Sequence, residues 1–465
     1  MSEEKRSSAQ LSRRKMLKLM AIGSAVTVAS GTGIANAASL TGERPARLRR
    51  ADTVTVVSML GSGFASDQNV TDFQTKNPNI KISNIEFDQT RFFAMAAAGN
   101  APDLVRVQAP GVPGLVGRGL MKDLTPYYKA SSVVKIDDLA PANNYYRADG
   151  PFKIGQGNYY GTVIDWSPDM TLYINTKAFD EAGVPVPDDS KAMTYQELGD
   201  LARKLTKRDG NRLVRAGLFE EMNWVDRFWM VMLAEKGESI YSADQQKLVL
   251  RDNPDAVAAV KWFFDLAKEG VMNSPINPIS GGWLGETFPK LQQAITQYGY
   301  WFTPWAIGDQ NKDSVKMLPA PTWAGKAIDP TISGTGGFIP TSSKVPDQAY
   351  QFFEWIFFSD PAAERAKTGR GVPTRKSMYD LLPTQTDYQK QVKKVLDGEL
   401  KKPLTVSFNP YFLQFEPTPV ADSFSKHLEE ATTGSMTFDK FLEAIETDTN
   451  KALKNGVDSL GTIAK

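Results

Sequence analysis

The chain has 465 residues, 41% hydrophobic and 10% aromatic, with 54 Lys and Arg against 53 Asp and Glu. That length exceeds one ordinary domain and predicts two lobes, while a formal charge of +1 supplies no basic field for gripping nucleic acid. The lack of Cys removes disulfides, thiolate nucleophiles and Cys-ligated zinc, and a lone His427 cannot build a His-rich metal site, so neither metal nor cofactor is expected.

Residues 1–37 read as an export address. Ser12-Arg13-Arg14-Lys15-Met16-Leu17-Lys18 precedes an apolar, small-residue stretch from Leu19 to Ile34, and Ala35-Asn36-Ala37 is an A-x-A-like cleavage site. The pattern resembles a twin-arginine signal, with Met16 where a Phe is commoner. The twin-arginine export machinery is then a partner, and a periplasmic or extracellular location is expected. The alternative is an uncleaved anchor, because the apolar part approaches the length of a short span. With no Cys there is no lipobox, so a lipoprotein is not expected. Residues 38–52 are polar and Arg-rich, as a linker would be.

A β-α-β pattern follows. Val54–Leu60 is a β-branched apolar run suited to a buried parallel strand, closed by Gly61-Ser62-Gly63. A helix is predicted over 67–76, stopping at Asn77-Pro78, then a strand carrying Ile80, Ile82, Ile85 and Phe87 with one irregularity. Residues 91–98 predict a helix closing on Gly99, and 104–107 a third strand, the opening of an open α/β sheet. Further on, Thr194 and Glu197 form a capping box ahead of Leu198, Leu201 and Leu205. Asn253 caps a helix starting at Pro254, with Val257, Val260, Phe264 and Ala267 on one stripe and Gly270 closing it. Pro346-Asp347 opens a helix with Ala349, Phe352, Phe353 and Ile356 on one side, and Phe438, Phe441, Ile445 and Ala452 mark a final amphipathic helix. These stripes are core faces.

Several segments stand in a telling order: 72–82 (DFQTKNPNIKI), 99–105 (GNAPDLV), 119–126 (GLMKDLTP), 172–179 (LYINTKAF), 298–305 (YGYWFTPW), 336–340 (GGFIP) and 371–375 (GVPTR). Together they resemble extracellular solute-binding proteins, in particular the maltose-binding-like, carbohydrate-binding cluster that serves ABC importers. The resemblance spans the chain after the linker. It implies an α/β, two-lobe periplasmic-binding-protein-like fold with discontinuous lobes and a hinge. One lobe takes 53–165 plus 318–373, the other 166–317 plus 374–465, with the solute in the cleft between them. It further implies a non-catalytic monomer that delivers a small carbohydrate to ABC permease subunits.

A sugar site needs acids and amides for hydroxyls and flat rings for C–H faces. The resemblance places Asp165 and Asp169 where the chain crosses between lobes, Trp305 as a stacking platform, and Trp224 with Asp226 on the cleft. Asn409, Tyr411 and Phe415 form the last aromatic cluster, and Gly336 and Gly337 would permit close backbone approach. One departure stands out. Where the maltose-binding pattern expects an aromatic and then an Asp-Arg pair, this chain has Val107-Gln108-Ala109-Pro110-Gly111. Gln108 would supply part of that hydrogen bonding, and Phe64 would line the same wall. A phosphate nest at 61–63 is disfavoured, since no Gly-x-Gly-x-x-Gly or Walker pattern completes it. Two other readings stay open: a secreted carbohydrate-active hydrolase using Asp165 with Asp169 as its carboxylate pair, and a receptor for a non-sugar solute such as a polyol, a polyamine or a phosphodiester.

Overall fold

The computed structural model describes residues 53–150, 153–210, 212–326, 328–402 and 418–463. The leader, the linker and the Asn409, Tyr411 and Phe415 cluster lie outside the described residues.

The first sheet grows from the segments whose patterning marks them as buried strands. β1 (Val54–Met59) pairs in parallel with β2 (Ile80–Asn84), in register from Val54 with Ile80 to Ser58 with Asn84, and on its other side with β3 (Leu104–Gln108). Between β1 and β2 runs the helix Asp67–Lys76. Ser66 accepts from the Asn69 amide at its start, and Phe73 buries against Phe352, with ring centroids 5.0 Å apart. The next helix spans Gln89–Ala97, beginning before the expected Arg91 because the Asp88 side chain caps it by accepting from the Arg91 amide. A short hairpin, β4 (Arg147–Ala148) with β5 (Asn158–Tyr159), leads to β6 (Thr162–Asp165).

The second sheet holds β7 (Leu172–Asn175), β8 (Lys207–Asp209), β9 (Arg212–Phe219), β10 (Gln293–Gln297) and β11 (Val315–Leu318) in the order β11-β7-β10-β9-β8. Its core takes in the apolar stripes of the helices Tyr195–Leu205 and Pro254–Lys268, together with Phe424, Phe441 and Ile445 of the two last helices. The capping box expected at Thr194 and Glu197 is formed.

The chain then returns to the first sheet as β12 (Thr335–Phe338), antiparallel to both neighbours in the order β2-β1-β3-β12-β6. The return falls later than residue 318. Thr322 still exchanges backbone hydrogen bonds with Met193 and Tyr195 of the second lobe, and the passage itself runs over Asp329–Ser333. Beyond Val372, Arg375 is still paired with Asp138 of the first lobe at 2.8 Å, whereas Gln391 in the helix Asp387–Glu399 bonds both ways with the Met317 backbone of β11. Each lobe is thus built from separated stretches of one chain.

Three passages connect the lobes and are stitched to one another. Trp166 donates its indole N–H to the Pro373 carbonyl at 3.0 Å, and its backbone exchanges bonds with Val372. Asp169 binds the second passage: its Oδ2 accepts from the Ile332 amide (2.8 Å), the Ser333 amide (2.9 Å) and the Ser333 hydroxyl (2.9 Å), while Oδ1 accepts from Ser167 (2.9 Å).

Candidate functional site

The carboxyl ends of β1, β2, β3 and β6 in the first sheet and of β9 and β10 in the second face a common cavity of about 260 Å³. From the first lobe come Phe64 after β1, Glu86 after β2, Arg106 and Gln108 on β3, and Asp165 at the end of β6. From the second lobe come Trp224 after β9 and Trp301 and Trp305 after β10, joined by Trp283. Strand ends are where open α/β sheets present ligands, because chain reversal there leaves backbone and side chains unpaired with the sheet. Ser333 and Thr335 line the base, from the second passage and the start of β12.

Four of the nine tryptophans make one wall. Trp305 meets Trp283 edge-on at 5.6 Å and Trp301 at 6.1 Å, and Trp224 leans on Tyr298 at 5.7 Å. Trp283 is 44% exposed, so the wall offers ring faces to an occupant. The opposite wall is cationic. The guanidinium carbons of Arg106, Arg365 and Arg370 stand 4.4, 4.6 and 5.6 Å from the Phe64 ring centroid, and Arg370 also lies 4.9 Å from the Trp305 centroid. Arg365 forms an ion pair with Asp165, and Glu86 accepts from the Ser62 amide (2.9 Å) and hydroxyl (2.7 Å), which hold its carboxyl below the usual range. Burial lowers Arg106 from the ordinary guanidinium value and brings Arg370 down to about 10, with Arg365 and Arg106 as like charges adding to the shift at Arg370.

The structure brings Phe64, Gln108, Asp165, Trp224 and Trp305 of the expected residues to this cavity. Asp169, Asp226, Gly336 and Gly337, also expected at the ligand, do not line it. Asp169 is 2% exposed and spends its oxygens on the passage between lobes, and desolvation outweighs those donors and pushes its pKa up to about 6. Asp226 is buried within the helix Val225–Ala234, two residues after the cavity-lining Trp224, and burial likewise raises its carboxyl. Gly336 and Gly337 sit inside the sheet. A Cβ on Gly336 would lie 1.8 Å from the Thr162 carbonyl oxygen, and one on Gly337 2.6 Å from Phe357, so the glycines serve strand packing.

Sequence reading did not single out Arg106, Arg370, Glu86, Trp283 or Thr335. Arg106 sits two positions before Gln108, and alternation along β3 puts both on one face, which was a usable signal. Among the described residues no cluster of three His, Asp or Glu stands where it could hold a metal.

Residues 68–394 match the family model of the bacterial extracellular solute-binding proteins. Solved structures with a similar fold include an ABC substrate-binding protein from Listeria monocytogenes in complex with cycloalternan. It is 22% identical with a TM-score of 0.63, and the match covers 88% of this chain and 98% of that one. A solute-binding protein from Thermotoga lettingae bound with alpha-D-tagatose is 17% identical, with a TM-score of 0.66 and coverage of 86% and 100%. CpMnBP1 with mannotriose bound is 20% identical, with a TM-score of 0.67 and the same coverage. With the family model spanning well over half its length and a two-lobe α/β fold around a cavity at the strand ends, this chain belongs to the bacterial extracellular solute-binding proteins.

Proposed function

We propose that this protein is an extracytoplasmic receptor that captures a sugar or short oligosaccharide between its lobes, closes on it by hinge motion, and delivers it unchanged to an ABC permease. The observation that carries this reading is a cavity with an indole wall on one lobe and hydrogen-bonding and charged side chains on the other. Rings cover the apolar faces of a sugar while polar groups repair the hydroxyl hydrogen bonds that burial removes. A volume of about 260 Å³, just under the roughly 300–1,000 Å³ of small-molecule sites, suits a small solute of one or two sugar rings. The carbohydrates bound by the fold relatives point the same way.

Hinge closure follows from linkage: a solute that touches both walls only when they approach favours the closed population by that difference in contact. Three passages stitched by Trp166 and Asp169 form a narrow waist about which the lobes can rotate. Export through the twin-arginine machinery is supported by the Ser12–Lys18 segment and its A-x-A site. A hydrolase built on Asp165 and Asp169 has less support, since Asp169 lies off the cavity and Asp165 is held by Arg365.

The test is a thermal-shift screen over sugars and polyols, followed by small-angle scattering and product analysis with each hit. A ligand at about 100 times its Kd adds about 2.7 kcal/mol to stability, and compaction with the ligand recovered intact is expected. Release of cleaved sugar, or no compaction with any saturating ligand, overturns the proposal.

A further inference from the structure

We infer that the solute carries an oxyanion, a carboxylate or phosphate on a polyhydroxylated ring, seated against Arg106 and Arg370 while the ring lies on the tryptophan wall. This deepens the receptor reading and rests on it. Three guanidiniums, Arg106, Arg365 and Arg370, gather around the single ring of Phe64, against two carboxylates, Glu86 and Asp165. Asp165 is paired with Arg365, while Glu86, held by the neutral Ser62, keeps its charge and attracts Arg106, so three guanidiniums against two carboxylates leave one positive charge unmatched.

With Arg365 paired, that leaves Arg106 and Arg370. Arg106 has its Nε buried with no acceptor among the described residues, and its guanidinium rests on the rings of Phe64 and Phe87. Arg370 gives one N–H to the Gly63 carbonyl at 3.2 Å and otherwise lies over Phe64 and Trp305. Aromatic faces hold a guanidinium in place but do not neutralise it, and the excess positive charge left in this partly desolvated cluster is costly. An anionic occupant removes that cost. The planar donor fork of Arg matches both carboxylate and phosphate oxygens, so the shared chemistry is the oxyanion. Gln108, in place of the expected Asp-Arg pair, adds a neutral amide to this wall and no further negative charge.

The experiment is isothermal titration of the full chain with matched pairs: glucose, glucuronate and glucose 6-phosphate, and the galactose, galacturonate and galactose 6-phosphate series, at low and high salt. Binding of an acidic member at least tenfold tighter than its neutral parent, weakening with salt, is expected; which acid binds separates carboxylate from phosphate. Arg370→Gln should abolish the preference, and Arg106→Gln, checked for folding by circular dichroism, should do the same. Neutral sugars bound as tightly as acidic ones overturn the inference and leave the receptor reading intact. Binding of none of these, with hits in the wider screen confined to neutral compounds, also overturns it. No ligand of any kind overturns both.

Discussion

Arg370 of the first lobe places its guanidinium carbon 4.9 Å from the ring centroid of Trp305 of the second, a cation–π contact that spans the cleft. Removing the ring should therefore affect ligand and lobe closure together. Trp305→Ala is expected to weaken a sugar found by screening about tenfold or more, or roughly 1.4 kcal/mol, while the melting temperature without ligand moves little, because Trp305 is only partly buried. Titration calorimetry beside a thermal melt checks both halves. Unchanged affinity would remove Trp305 from the site.

Asp169 ties two of the three passages together with three of the four hydrogen bonds it accepts, the fourth coming from Ser167 of its own passage. Asp169→Ala strands the Ile332 and Ser333 amides in a buried place, and each unsatisfied group costs about 1–3 kcal/mol. Asp169→Asn keeps an oxygen for those two amides and turns its NH2 to the Ser167 hydroxyl, which can accept as well as donate. Urea unfolding should therefore rank the alanine variant well below the asparagine variant. Equal midpoints would contradict the assigned role.

The same carboxyl makes a pH prediction. Burial raises Asp169 to about 6 in the folded protein from the ordinary 3.8 of an aspartate, so the fold favours its protonated form. Its stabilising contribution is full below about pH 4 and lost as pH rises through about 6, a change of up to about 3 kcal/mol. Glu220 and Asp329 are also raised by burial and act in the same direction, so the informative quantity is wild type minus Asp169→Asn. That difference should fall between pH 4 and 7 and then level off. A flat difference would show that the four donors cancel the desolvation.

Gly336 lies in β12 with no space for a methyl group: the added Cβ would stand 1.8 Å from the Thr162 carbonyl oxygen. Because that neighbour is backbone, relief requires the sheet itself to part. Gly336→Ala should lower stability by at least the ~1–3 kcal/mol of an overpacked core and reduce soluble yield. In contrast, Gly398→Ala, where a Cβ meets nothing within 4 Å on a helix, should leave stability unchanged or raise it slightly. Chemical denaturation of the pair tests the reading.

Much of the fold was legible in short-range signals. The capping box at Thr194, the Asn253 cap and the apolar stripes of Pro254–Lys268 and Pro346–Phe358 mark elements whose bonds close within a few residues, so local sequence suffices to find them. Trp224 and Trp305, expected on the cleft from the family resemblance alone, line the cavity in the structure because each follows a strand end, β9 and β10. The placement of Asp169 and Asp226 was not legible for a physical reason: an acid near an aromatic reads alike whether it faces a cleft or is buried, and only packing separates the two. The order of the motifs determined the family and the two-lobe plan. What tertiary structure alone decided is the cationic wall. Phe64, Arg106, Arg365 and Arg370 come from two stretches about 260 residues apart that meet because β12 re-enters the first sheet between β3 and β6. No local pattern encodes the clustering of three guanidiniums on one ring, since it arises from long-range strand pairing and exists only once the sheet has closed.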